Sequence, residues 1–128
     1  MTSFTHKPQS PRQLKVGEVL RQALSETFMR GDVYSKDLQA YSVTVSEVRV
    51  SPDLRNATVF IMPLGGKDKE RVLDIVTKLS PQIRSIITRK IDMRYSPELY
   101  FKLDESYENA HKIDALIKST KVSQDEND

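Results

Sequence analysis

Val72-Leu73-Asp74-Ile75-Val76-Thr77-Lys78-Leu79-Ser80-Pro81-Gln82-Ile83-Arg84-Ser85-Ile86-Ile87 is the stretch on which the reading of the fold turns. Val72, Ile75, Val76 and Leu79 recur at the spacing of one helix face. Ile83, Ile86, Ile87 and Ile91 repeat that spacing, which predicts a second helix running toward Ser96-Pro97. Between the two, Ser80 has the chemistry of an N-cap and Pro81 that of a first-turn residue. Pro81 also disfavours the α conformation at Ser80. Two helices meeting at a kink at Leu79-Ser80-Pro81 are therefore expected. Lys90 falls inside the apolar stripe and must run its ammonium out to water, while Arg84 and Arg89 fall on opposite flanks of the outward side.

Upstream, Ser42-Val43-Thr44-Val45-Ser46-Glu47-Val48-Arg49-Val50 is β-branched and alternating, which predicts a strand. Its phase slips between Val45 and Val48, so a bulge is expected near Ser46-Glu47. Ser51 to Asn56 carries turn chemistry, with Pro52 fixing its φ and Asp53 and Asn56 able to bond local backbone. Ala57 to Met62 is apolar at nearly every residue and predicts a strand buried on both faces, antiparallel to the first and ended by Pro63 and Gly65-Gly66. Earlier still, Val16, Leu20, Ala23, Leu24 and Phe28 mark a helix that follows Pro11 and stops at Gly31. Residues 31–41 read as a polar connection. Downstream, Leu99, Phe101 and Leu103 alternate with Tyr100 and Lys102 as a third strand. Ala110, Ile113, Leu116 and Ile117 predict a C-terminal helix. Residues 1–11 and 119–128 lack periodicity and are expected to be disordered, which leaves one domain over residues 12–118.

The 128 residues suit a single core, and the 38% apolar and 30% charged fractions suit a globular protein of a water-filled compartment. Without Cys there are no disulfides or thiolate sites, which is compatible with a reducing cytoplasm. No apolar run approaches membrane-spanning length and no secretory leader is legible. The net charge of +2 conceals a sorted distribution. Residues 1–30 hold five basic and two acidic groups, residues 78–103 six basic and two acidic, and residues 104–128 three basic and seven acidic. A basic middle with an acidic tail would draw a polyanion to one surface, and the same charges also serve as ordinary solvated faces.

Catalytic signatures are missing. Gly65-Gly66-Lys67-Asp68 lacks the upstream Gly and the Ser/Thr of a phosphate-binding loop. His6 and His111 are isolated, so no metal site is expected, and no Ser occupies a nucleophile elbow. The pair Asp104-Glu105 opens an acidic surface segment. No cofactor is implied, and the chain does not read as an enzyme.

The order α-β-β-α-α-β, with a further C-terminal helix, is that of an α+β domain of KH type II: a three-stranded sheet with helices packed on it. Kinked helix pairs flanked by basic residues recur in small RNA-binding domains. A KH domain normally carries a Gly-x-x-Gly loop at the joint so that backbone can approach phosphate, and here no Gly follows residue 66.

A more specific resemblance rests on Val43 through Leu54, Ala57-Thr58-Val59-Phe60-Ile61, Pro63-Leu64-Gly65, Ile83-Arg84, Pro97-Glu98-Leu99-Tyr100-Phe101 and Asp104-Glu105-Ser106. In these stretches the chain resembles the ribosome-binding factor A family of bacterial assembly factors for the small ribosomal subunit. That family usually has Ala-x-Gly followed by Phe-Ile-Arg at the joint, where this chain has Leu79-Ser80-Pro81 followed by Gln82-Ile83-Arg84. A Ser and Pro still form a bend, but Pro81 has no N–H to offer a phosphate. The resemblance implies a cytoplasmic, monomeric, non-catalytic factor that docks on ribosomal RNA of the immature small subunit and promotes its maturation and precursor processing. The expected phosphate contacts are Arg12, Lys15, Lys78, Arg84, Arg89 and Arg94, with the Ser80 hydroxyl at the joint. Tyr95 and Tyr100 are candidates for stacking on bases. Two alternatives stay open: a KH-type module for single-stranded RNA outside the ribosome, and a protein-interaction domain without RNA.

Overall fold

A computed structural model describes residues 8–92 and 96–105. Helix α1 spans Pro11–Arg30 and a four-residue α2 spans Lys36–Gln39. Strands β1 (Val43–Val50) and β2 (Asn56–Pro63) follow, then a 3-10 turn, α3 (Lys69–Lys78), α4 (Ser80–Lys90) and β3 (Glu98–Leu103). The sheet order is β1-β2-β3, with β1 antiparallel and β3 parallel to β2. This is the expected KH type II order. The predicted C-terminal helix, the acidic tail, residues 1–7, Arg94 and Tyr95 lie outside the described residues.

Local chemistry accounts for the element ends. Ser10 and Gln13 form a capping box at the start of α1, and Pro11 fills the first turn. Gly31 closes that helix in the left-handed region at φ 71°. The β1 bulge falls between Val45 and Glu47, where the alternation slips. In the β1–β2 turn the Ser51 hydroxyl donates to Asp53 Oδ1 at 2.6 Å, and that carboxylate accepts the Arg55 N–H at 3.1 Å.

The core is one cluster. Leu20 and Leu24 of α1, Val72 and Val76 of α3 and Ile83 and Ile87 of α4 are all fully buried against Ala57, Val59 and Ile61 of β2. The expectation that β2 is buried on both faces needs correction. Ala57, Val59 and Ile61 are buried, but Thr58, Phe60 and Met62 are only half covered, because the helices lie on one face of the sheet.

Three further differences have physical causes. Residues 36–39 fold into a helical turn, capped by the Ser35 hydroxyl on the Leu38 N–H, although they carry no helical periodicity. The α4 helix ends at Lys90 rather than continuing toward Ser96, because Ile91 turns extended (φ −111°, ψ 144°) and packs against the core. Finally, Ser80 is not the cap of α4. The break is one residue long, so Leu79 (φ −89°, ψ 2°) serves both helices. Its N–H bonds back to Ile75 and Val76, and its carbonyl accepts the Ile83 N–H at 2.9 Å.

Candidate nucleic-acid interface

The joint is fastened to the sheet at two points. The Ser80 hydroxyl donates to the Leu99 carbonyl at 3.2 Å. One turn later, Arg84 Nε donates to the Pro97 carbonyl at 3.0 Å and one of its terminal guanidinium nitrogens donates to the Ser96 carbonyl at 2.7 Å. The same guanidinium pairs with Glu98 at 3.2 Å. Arg84 is thus half-buried and clamps the entry to β3, rather than projecting from the outward flank as its helix position suggested. Charge-assisted bonds to carbonyls fix this segment more firmly than the exposed ion pair does.

The pairing pattern brings a second helix start to the same edge. Gln9 and Gln13 each donate a side-chain amide to the Val50 carbonyl at 2.7 Å, which pins the first turn of α1. Val50 pairs with Ala57, and Ala57 with Leu99, the residue that holds Ser80. A row of three strands, about 10 Å across, therefore separates the start of α1 from the start of α4. Both helices direct their positive N-terminal ends to this end of the sheet.

The predicted site residues divide on this frame. Arg12 and Lys15 are exposed in the first turns of α1 and have no ion pair among the described residues. Ser80 and Arg84 are at the joint. Lys78 precedes it, highly exposed and paired with Asp74 at 3.1 Å. Arg89 is exposed in the last turn of α4 and reaches back one turn to donate to the Ser85 hydroxyl at 2.9 Å. Lys90 lies apart at the far end of α4, where its ammonium meets Asp32 at 3.0 Å. Tyr100 is about half exposed on β3.

A shallow depression of about 230 Å³ lies at the joint, lined by Ser80, Pro81, Arg84, Ser85, Thr88 and Glu98. Sequence reasoning did not single out Ser85, Thr88 or Glu98. The signal available was spacing, since Pro81, Ser85 and Thr88 fall on one face of α4, opposite the Ile83/Ile87 stripe. Hydroxyls and guanidinium donors beside a helix start can receive an anionic oxygen. Pro81 offers no N–H, so side chains and the amides beyond it would supply the donors. Among the described residues there is no group of three or more side chains able to hold a metal ion, and no helix long and apolar enough to cross a membrane.

A mixed three-stranded sheet, a helix pair kinked at one residue and a polar depression at the kink define a KH-like domain of type II topology. Comparison with known proteins narrows the class. Residues 12–117 match the sequence profile of the family described as ribosome-binding factor A. The ribosome-binding factor A of Rhodopseudomonas palustris (strain BisB18) is 40% identical over 129 residues, covering 98% of this chain and 94% of its own. The crystal structure of ribosome-binding factor A from Thermus thermophilus superposes with a TM-score of 0.61 at 22% identity, over 71% of this chain and 93% of that one. A Thermus thermophilus homology model fitted into a cryo-EM map of a 30S complex gives 0.56 at 23% identity, over 68% and 89%. The chain belongs to the ribosome-binding factor A family.

Proposed function

We propose that this chain binds ribosomal RNA of the immature small ribosomal subunit through the joint and the adjacent start of α1, and promotes maturation and precursor processing without catalysing a reaction. The observation that carries this reading is the convergence at one sheet end of two helix N-termini, exposed cations and a hydroxyl-lined depression. Its family membership supports the same partner, since a relative has been fitted into a 30S complex. Arg12, Lys15, Lys78, Arg89 and Arg94 contact phosphates. Ser80 and Arg84 hold the joint against β3 and present their remaining polar edge to the RNA. The factor works in the cytoplasm as a monomer and needs no cofactor. Binding that is stronger to the immature than to the mature particle is sufficient to drive the step.

Co-sedimentation with purified small and large subunits at two salt concentrations tests this. Selective binding to small subunits that weakens with salt is expected, because phosphate contacts release counterions. Equal binding to both subunits, no binding, or binding indifferent to salt would overturn it.

A further inference from the structure

The two faces of the sheet are covered unequally. Residues paired across strands point to the same side, so the register sorts the faces. Val45, Val48 and Val50 of β1, Ala57, Val59 and Ile61 of β2 and Leu99 and Phe101 of β3 meet α1, α3 and α4. The opposite face carries Thr44 beside Met62, Glu47 beside Phe60 and Lys102, and Arg49 beside Thr58 and Tyr100. Its centre is largely apolar: Thr58, Phe60 and Met62 are half-buried and Tyr100 is 53% exposed. Antiparallel strands commonly leave such a face to water. Parallel strands, as β2 and β3 are, occur mostly where both faces are covered.

The chain beyond β3 carries a matching surface. The Asp104 N–H donates to the Ile61 carbonyl at 2.8 Å, which holds the end of β3 against β2, and Glu105 already takes helical conformation. In the sequence that follows, Ala110, Ile113, Leu116 and Ile117 recur at the spacing of one helix face. A stripe of this kind needs an apolar surface to bury against. At this end of the sheet the helix-bearing face is already filled by α3, whose Val72, Ile75 and Val76 are buried. We infer that residues 106–118 form a helix folded back across the open face, antiparallel to β3, with that stripe on Phe60, Thr58 and Tyr100.

Length and charge agree with this occupant. From Glu105 to Ile113 a helix rises about 12 Å, the length of about three to four strand residues, so Ile113 reaches the level of Thr58 and Tyr100. On the face, Glu47 is held by Arg49 at 3.0 Å and Glu98 by Arg84 at 3.2 Å. Lys102 has no ion pair among the described residues and stands one residue before the end of β3, and the predicted helix opens on Glu105 and Glu108. A second copy or another protein would have to displace a segment joined to β3 by two residues, whose effective concentration is on the order of millimolar. Since β3 and the residues entering it supply the carbonyls that hold Ser80 and Arg84, a helix on the far face braces the joint from behind.

NMR on the full chain tests this. Nuclear Overhauser contacts should link the Ile113 methyl groups to Thr58 and to the Tyr100 ring. Ile113→Asp should abolish them and shift the Thr58, Phe60 and Tyr100 signals, while leaving those of Leu20 and Ile87 on the other face in place. It should also lower the melting temperature by about 4 °C or more. Lys118→Ala, opposite the apolar stripe, should leave contacts, shifts and melting temperature unchanged. Absence of the Ile113 contacts, or an Ile113→Asp variant with the parent's spectrum and melting temperature, would overturn the inference. So would contacts seen only between differently labelled copies in a mixed sample, which would assign the face to a dimer. All of these readouts use the free protein, so they stand or fall independently of subunit binding.

Discussion

Gly17→Ala probes the tightest contact in the fold. Helix α1 crosses β1 so closely that a Cβ at residue 17 would lie 2.6 Å from the Val48 carbonyl oxygen. An ordinary carbon–oxygen approach is about 3.3 Å or more, so helix and strand would have to separate by roughly 0.7 Å. Both sides of the contact are main chain, and no rotamer change relieves it. Separation would also lift Leu20 and Leu24, which are fully buried on the same helix. A gap of that size forfeits about a quarter to a half of each van der Waals well it opens. Overpacking of this kind costs roughly 1–3 kcal/mol, while replacing Gly by Ala inside a helix returns about 1 kcal/mol. The expected net loss is up to about 2 kcal/mol, read as a lower urea midpoint at unchanged slope, or a melting temperature reduced by up to roughly 12 °C. At an uncrowded helix position the same substitution would stabilise, so the sign is decisive. A variant about 1 kcal/mol more stable than the parent, as at an uncrowded position, would refute the close crossing of α1 over β1.

Four other substitutions test the site and its surroundings. Arg84→Lys should cost about 1–2 kcal/mol in stability, because an ammonium cannot reach the Ser96 and Pro97 carbonyls together; Arg89→Ala should stay within about 0.5 kcal/mol in urea unfolding yet weaken subunit binding and flatten its salt dependence. Pro81→Gly should lower stability by about 0.4–1 kcal/mol through a freer unfolded chain, and should tighten RNA binding by restoring an N–H at the joint, as filter binding would show. Arg21, hydrogen-bonded to Glu18, lowers that carboxyl from 4.5 to about 2, so ionised Glu18 favours the folded state. This contribution is complete above about pH 4.5 and is lost as pH falls toward 2, so melting curves of Glu18→Gln and the parent should converge across that window, with a small amplitude because the pair is exposed.

What was legible in the sequence is what depends on neighbours along the chain. The apolar stripes at Val72-Ile75-Val76 and Ile83-Ile87, the slip between Val45 and Val48 and the stop at Gly31 each involve residues within two turns or a few strand positions, and each matches the fold. What was not legible depends on partners far away in sequence. Gly17 reads as a weak helix residue until β1 is known to pass beneath it. Thr58, Phe60 and Met62 look as apolar as a two-sided core strand, and only the placement of every helix on one face leaves them half covered.

The joint shows the same limit most sharply. Ser80 and Arg84 both sit at the joint, as expected, but the acceptors that define their work are the carbonyls of Leu99, Pro97 and Ser96. Both residues turn inward to hold β3, so under the proposed function outward capture of an anion falls chiefly to residues such as Arg12, Lys15 and Arg89. Pro81 fits this division of labour. A glycine at the bend offers its own backbone to a ligand at the cost of a looser chain. A bend fixed by proline and tied to β3 by Ser80 and Arg84 offers a rigid edge, on which, under the proposed function, side chains would do the binding. Such an edge should be more salt-sensitive and less selective among phosphate geometries than a glycine loop, because charge at long side chains is screened and mobile where a backbone N–H is fixed.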